Sequence, residues 1–168
     1  RLTEAGVPII TVVCAAGDLN GSAGDHWDTH GNNFNRLKRD LLPPYDRAVS
    51  ALLADLHDRG RLAETLVVMM TEFGRTPVTQ GLNGKGRDHH QLVFTCWMAG
   101  AGLKKGLGYG SSDEVGYNVG ENPVTTYDFH ATILHLLGLN HEQLTFRHNG
   151  RDYRLTDVAG NVVHGILS

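Results

Sequence analysis

The stretch of sequence that decides the predicted fold is TLVVMMTEFGRTPVTQGLNGKGRDHH, residues 65–90. It opens with an apolar run at residues 66–71, and a run that is short and apolar on both faces predicts a strand buried on both sides. Glu72 and a glycine-rich loop follow. The charged and titratable residues of that loop are Arg75, Lys85, Arg87, Asp88, His89 and His90. Open α/β sheets build sites at such strand ends, although an ordinary solvated loop has a similar composition.

A second apolar run and a helix place that strand in a parallel sheet. Residues 7–14, VPIITVVC, are apolar and largely β-branched, and they predict another buried strand. Residues 45–59 repeat apolar side chains along one face, which predicts an amphipathic helix. This order predicts a right-handed βαβ crossover. We therefore expect strands 7–14 and 66–71 to be parallel neighbours, with the helix packed across them.

A long glycine-rich loop at residues 15–33 carries the first candidate metal ligands. Loops of this length are usually functional or disordered. Asp28 and His30 stand two residues apart, so in an extended segment both side chains point the same way. An Asp and a His on one face predict half of a metal site. In the expected parallel sheet, this loop and the loop after Glu72 lie on the same edge.

The remaining segments predict one more strand and two more helices. Residues 92–98 predict a third strand, antiparallel to its predecessor because no helix separates it from Glu72. Residues 33–42 predict a short helix that Pro43-Pro44 breaks. Near the end of the chain, GRDYRLTD predicts a short extended piece.

The last predicted helix has recognisable ends. Thr125 and Asp128 fit the Thr and acidic positions of a capping box, and Gly138 is the expected stop signal. Asp128 is therefore expected to be a cap residue. His130 and His135 are expected to face outward or to pack at a rim.

Composition bounds the class of protein. The 168 residues, of which 40% are hydrophobic, fit one domain with a core, predicted to span residues 1–168. The formal net charge of −3 disfavours a nucleic-acid or membrane surface, and no apolar run reaches the ~18 residues of a membrane span. Cys14 and Cys96 are expected to be free thiols. The opening RLTEAG resembles a helix end and not a signal peptide, so we expect a fragment whose compartment is not encoded here.

Several strings of the sequence resemble one bacterial family. They are WDTHGNNFNRLK, LLPPYDRAVSALLADLHDRG, TLVVMMTEFGRTP, GRDHH, AGAGLKKGLGYGSSDEVG and NPVTTYDFHATILHLLGL. These strings make the chain similar to the sulfatase-like family called domain of unknown function 1501, within the alkaline phosphatase-like superfamily. The resemblance implies a three-layer α/β sandwich, with a mostly parallel sheet and one antiparallel strand. This chain would be its C-terminal portion, lacking the N-terminal part of the fold. An exported, periplasmic protein is also implied.

The resemblance further implies a metal site. Its implied ligands are Asp28, His30, Glu72 and His89, with Asp88 and His90 as supporting residues. The implied cofactor is a divalent ion, zinc, manganese or calcium, and carboxylate and imidazole ligands suit zinc or manganese better than calcium. Two departures from the family pattern stand out. Phe73 follows Glu72 where the superfamily often has a histidine. His90 follows His89 where the family usually has tryptophan, so either histidine is a candidate ligand.

The implied activity is metal-dependent hydrolysis of a phosphate or sulfate ester of a small molecule or glycan. Arg75 and Arg87 are the anion-binding candidates, since guanidinium groups hold such oxygens through paired hydrogen bonds. Salt bridges to Asp88 or Glu72 are the structural alternative. The superfamily's nucleophile has no counterpart in this sequence, so the catalytic residues stay unassigned and little turnover is expected of this chain alone. The alternative function is a non-catalytic structural or interaction module, with or without metal.

Overall fold

The computed structural model describes residues 1–14 and 27–168. Its contacts divide the chain into two compact units. Unit 1 comprises Arg1–Leu52 and Thr79–Asp88, and unit 2 comprises Leu53–Val78 and His89–Ser168. Of the loop predicted at residues 15–33, residues 15–26 lie outside the described residues.

A helical segment begins in unit 1. It consists of a single turn, α1 (Asn33–Asn35), a π-helical stretch at Arg36–Leu41, and the helix α2 (Leu42–Asp58). The break predicted at Pro43-Pro44 does not occur. Proline lacks an N–H group and therefore cannot donate a helical hydrogen bond. The wider π-helical turn lies just before the prolines, with Leu42 N donating to the Leu37 carbonyl, and the helix continues through them. The helix predicted at residues 45–59 is confirmed.

The strand predicted at residues 7–14 is not formed. Within the described chain it has no strand partner, and its apolar side chains are exposed, Val12 at 80% and Val13 at 78%. An apolar run becomes a buried strand only where neighbouring strands accept its backbone groups and other layers cover its faces. The expectation of a parallel pair formed by residues 7–14 and 66–71 is therefore wrong.

Unit 2 contains short antiparallel strand pairs and one capped helix. The pairs are β1 (Leu66–Met69) with β4 (Trp97–Gly100), β2 (Gly74–Arg75) with β3 (His89–His90), β5 (Ser111–Ser112) with β6 (Val119–Glu121), and β7 (Thr145–His148) with β8 (Arg151–Arg154).

The predicted three-layer sandwich with a mostly parallel sheet is wrong, because all the strand pairs of the described residues are antiparallel. A parallel pair needs a strand on both sides of its crossover helix, and the run that precedes α2 forms none. After β1 the chain makes the β2–β3 pair and returns through β4, with Leu66 opposite Gly100. The third predicted strand is thus antiparallel to its predecessor, as expected, although it begins at Trp97. The mixed α/β content is confirmed.

Helix α3 (Thr126–Leu136) has the predicted capping box. Asp128 N donates to Thr125 Oγ1 at 3.2 Å, and Thr125 N donates to the Asp128 carboxylate at 2.8 Å. At the other end Gly138 has a positive φ of 77° and terminates the helix. Both ends of this helix are therefore encoded locally.

Asp128 also joins α3 to the C-terminal segment. Its Oδ1 accepts hydrogen bonds from Asn161 N at 2.7 Å and from Asn161 Nδ2 at 3.3 Å. Thr132 donates to the Asp128 carbonyl and accepts from Val163 N at 2.9 Å. Burial raises the pKa of Asp128, but the hydrogen bonds from Thr125 and Asn161 outweigh it, so the pKa lies below its ordinary value.

The β7–β8 hairpin turns at Asn149 and Gly150, whose φ angles are 47° and 80°. An Asn-Gly pair between two extended runs is the strongest short sequence signal for a two-residue hairpin turn. The Asn-Gly signal therefore predicts the whole hairpin, whereas only the extended piece that contains β8 was expected from the sequence.

None of the helices in the part of the chain described here has the length and apolar character needed to cross a membrane.

We expect Asp128→Ala to lower the free energy of unfolding by about 1 kcal/mol at pH 7, the usual cost of a lost helix cap. The folded pKa is lowered, so this stabilisation is complete above the ordinary pKa of about 3.9 and is lost as the pH falls through the folded value. Urea denaturation at pH 7 and about pH 2 measures both effects. Glu114→Ala is the control, because the Glu114 side chain is exposed. A deficit in Asp128→Ala that is as large in acid as at pH 7 would contradict the assignment.

Candidate metal centre

Asp28 and His30 lie together in unit 1, as their spacing predicts. His30 Nε2 is 3.0 Å from Asp28 Oδ1, and the two side chains are 39% and 57% exposed, respectively. Two ligands that are each about 2.0–2.2 Å from one tetrahedral zinc ion lie roughly 3.3–3.6 Å apart. The pair is therefore slightly closer than two ligands of a common ion would be, and it is accessible to solvent.

The other ring nitrogen of His30 faces the loop at residues 79–88. Nδ1 donates to the side-chain oxygen of Gln80 at 2.9 Å and lies 3.5 Å from Asp88 Oδ1. A neutral imidazole with its proton on Nδ1 presents a lone pair at Nε2. Nε2 then presents its lone pair beside the Asp28 carboxylate, an arrangement that a metal ion between the two would stabilise. Metal-binding histidines commonly have such an orienting hydrogen bond on their second nitrogen.

The backbone of the same loop approaches His30 very closely. Gln80 and Gly86 form an antiparallel bridge, with N···O distances of 2.9 and 2.7 Å. A Cβ atom on Gly86 would lie 1.8 Å from the His30 carbonyl oxygen, so only glycine fits at this position. Close backbone packing therefore places Gln80 and Asp88 at the Nδ1 edge of the His30 ring.

Gln80 is the site residue that the sequence analysis missed. The glycines around it, at positions 81, 84 and 86, signal a tight loop. They do not indicate which side chain of that loop meets a histidine fifty positions earlier in the chain.

Thr29, between the two candidate ligands, does not present its hydroxyl group as a nucleophile. Its side chain is buried, and Oγ1 donates to Asn33 Oδ1. Successive residues of an extended segment point in opposite directions, so Thr29 is turned inward whereas Asp28 and His30 are turned outward.

The other two predicted ligands, Glu72 and His89, belong to unit 2. Glu72 is exposed just after β1 and accepts a hydrogen bond from Thr71 Oγ1 at 3.2 Å. His89 is exposed, and its ring stacks on Phe73 with the centroids 4.1 Å apart. Phe73 thus packs against the imidazole of His89. The role of Glu72 and His89 as ligands stays a prediction.

His90 differs from its neighbour because it is buried. Its Nε2 donates to the Tyr117 carbonyl at 2.7 Å, and the two rings lie 4.7 Å apart. Tyr117 is held in turn by Asp113, whose carboxylate accepts from Tyr117 N at 2.7 Å. This hydrogen bond, together with those from Asn118, lowers the pKa of Asp113. His90 therefore holds β3 against Tyr117. The exposed His89 is the better candidate ligand of the two.

The two anion-binding candidates belong to different units. Arg87, in unit 1, lies over the Phe34 ring at 4.7 Å, and its Nη1 donates to the Gly86 carbonyl at 2.8 Å. Arg75, in β2 of unit 2, is paired with His89 in the strand register. The expectation that both arginines line one cleft stays a prediction.

The fold and the candidate site define a mixed α/β protein with a paired carboxylate and imidazole. The chain belongs to the family described as Protein of unknown function (DUF1501), which matches residues 1–167. No curated protein and no solved structure matches the chain. The family membership expected from the sequence strings is confirmed. Since the family description assigns no activity, the chemistry rests on the residues of the site.

We expect Gly86→Ala to reduce the free energy of unfolding by about 1–3 kcal/mol, since the added methyl group collides with the His30 backbone. Gly31→Ala is the matched control, because a Cβ there meets no atom within 4 Å. Chemical denaturation measures the stability, and the ring resonances of His30 report whether Gln80 still contacts Nδ1. Equal stability of the two variants would show that the loop moves aside without cost.

Proposed function

We propose that this chain binds a divalent metal ion of the zinc or manganese class through Asp28 and His30, and that the ion serves the hydrolysis of a phosphate or sulfate ester. The observation that carries the proposal is the 3.0 Å separation of His30 Nε2 and Asp28 Oδ1, with Nδ1 already donating to Gln80. A cation between the two acceptors turns their repulsion into attraction. The resemblance to the sulfatase-like family of the alkaline phosphatase-like superfamily supports the same chemistry.

Each of these residues would have a distinct role. Asp28 supplies a charged oxygen ligand, and His30 supplies a neutral nitrogen ligand. Gln80 and Asp88 keep the proton on Nδ1 and fix the plane of the ring, which maintains Nε2 as a ligand. The ion, when bound, supplies Lewis-acid polarisation of an ester oxygen or of an attacking water molecule.

Charge supports the proposed substrate class. A phosphate or sulfate ester presents anionic oxygens, and Arg87 in the same unit is the candidate group to contact them. Its guanidinium plane is supported by Phe34, and a stacked arginine loses little freedom when it forms paired hydrogen bonds. The alcohol part of the ester would be a small molecule or a glycan. Glu72, His89 and Arg75 remain candidates for the same chemistry on the strength of the resemblance.

A non-catalytic metal-binding module is the second candidate function. The observation that favours it is the engagement of Thr29, whose hydroxyl group is buried and bonded to Asn33. Without a free hydroxyl nucleophile at Thr29, hydrolysis would depend on a water molecule as the attacking group. Precise placement of the attacking group lowers the activation barrier by roughly 7–11 kcal/mol in favourable cases, and a water molecule is placed less precisely.

We expect calorimetric titration of the 168-residue chain with zinc or manganese to give saturable binding that Asp28→Asn and His30→Ala abolish. Gln80→Ala should weaken binding by about 10–100-fold, the usual effect of losing an orienting partner. Binding should also weaken in acid, because protons compete for the imidazole. His57→Ala is the matched control, since His57 and Asp58 form an exposed pair at 3.4 Å on α2. Identical binding by His30→Ala and His57→Ala would exclude this site.

Activity separates the two candidate functions. With aryl phosphate and aryl sulfate as substrates, we expect slow, metal-dependent hydrolysis that is lost in Asp28→Asn and retained in His57→Ala. Metal binding without any turnover would identify the non-catalytic module. Turnover that persists in Asp28→Asn would show that the hydrolytic residues lie elsewhere in the chain.

A further inference from the structure

A second group of metal-ligating side chains lies in unit 2, where α3 ends. A cavity of about 390 Å³ is bordered there by His135, His141 and Glu142. We propose that this cavity is a separate binding site for a divalent transition-metal ion of the zinc class, with these three residues as its ligands. The site shares no residue with the centre of unit 1 and does not depend on the function proposed for it.

His141 is the residue that the surrounding structure fixes most firmly. Its side chain is only 7% exposed, and its Nδ1 lies 2.9 Å from Oγ1 of the buried Thr156. With Nδ1 as the donor, the lone pair is on Nε2, and the residue borders the cavity. An imidazole that is oriented by a hydrogen bond at one nitrogen is the usual arrangement of a histidine that binds metal through the other.

Glu142 is held next to His141 by a tight turn. The side-chain oxygen of Asn140 accepts from Glu142 N at 2.9 Å and from Gln143 N at 3.3 Å. The Glu142 carboxylate is exposed, and its contact with Arg154 is long, at 3.9 Å. Exposed ion pairs of this kind contribute little to stability. The carboxylate can therefore turn toward the cavity at little cost.

His135 lies in the last turn of α3. The helix closes there with hydrogen bonds from Gly138 N to the His135 carbonyl and from Leu139 N to the Leu134 carbonyl, both at 2.9 Å. The negative end of the helix dipole favours a cation at this position. The ring of His135 packs edge-on against His164, with the centroids 5.7 Å apart, which keeps it beside the cavity.

The donor set selects the class of ion. Two imidazoles and one carboxylate are a zinc-type set that leaves a coordination position open, whereas calcium and magnesium prefer oxygen ligands. Leu139 and Val162 also border the cavity and add apolar surface to it. Among the described residues of this cavity, the three ligand atoms do not lie within 4.8 Å of one another. Binding would thus draw the exposed Glu142 and His135 side chains toward the buried His141.

The test uses the full chain carrying His30→Ala, so that the centre in unit 1 is disabled. Calorimetric titration with zinc chloride should give one ion per chain, and the ring resonances of His135 and His141 should shift on binding. Adding Glu142→Gln or His135→Asn should each weaken zinc binding at least tenfold. Both positions are exposed, so neither change should prevent folding, and circular dichroism checks this. His148→Asn, an exposed histidine of β7, is the matched control.

The results separate the alternatives. Weaker binding in Glu142→Gln and His135→Asn, with unchanged binding in His148→Asn, supports the site. Absence of zinc binding in the His30→Ala chain overturns it. Binding that neither Glu142→Gln nor His135→Asn changes also overturns it, because the ion would then be held by other groups.

Discussion

The carboxylate of Asp128 is the group that joins the start of α3 to the C-terminal segment of unit 2. One of its oxygens completes the cap of α3 at Thr125, and the other accepts two hydrogen bonds from Asn161. A single side chain thus sets where the helix begins and where the C-terminal segment returns to it. Gly160 makes that return possible, since a Cβ there would lie 3.0 Å from the Tyr127 carbonyl oxygen. The helix then directs its far end, with His135, toward the cavity near His141.

Features encoded within a few residues could be predicted from the sequence. The capping box of α3, its stop at Gly138 and the helix at residues 45–59 each depend on neighbours in the chain. The parallel sheet could not be predicted in the same way. Whether the apolar run at residues 7–14 becomes a buried strand depends on a partner strand, and hydrophobicity alone does not specify one. The same limit explains why the strand predicted at residues 92–98 was correct in direction, whereas β4 begins five residues later, at Trp97.

The same distinction between local and long-range signals applies to the candidate site. The pair of Asp28 and His30 follows from their alternation in an extended segment. Gln80 could not be foreseen, because its position depends on the close approach of Gly86 to a backbone distant in sequence. The choice between His89 and His90 required knowledge of burial, which the identical side chains do not reveal. Tertiary packing, and not residue type, therefore decides which polar groups are available for chemistry.

The exposed run at residues 7–14 has a consequence for the behaviour of the protein at high concentration. The run contains no charged residue, and its single proline stands near one end. A bare segment of β-branched side chains is an open template for strands from other molecules, since charges and prolines are the usual protection against such pairing. Segments of six or seven such residues are also sufficient to seed fibrillar cross-β structure. This short segment, which carries none of the candidate metal ligands, is therefore a place where copies of the chain can associate at high concentration.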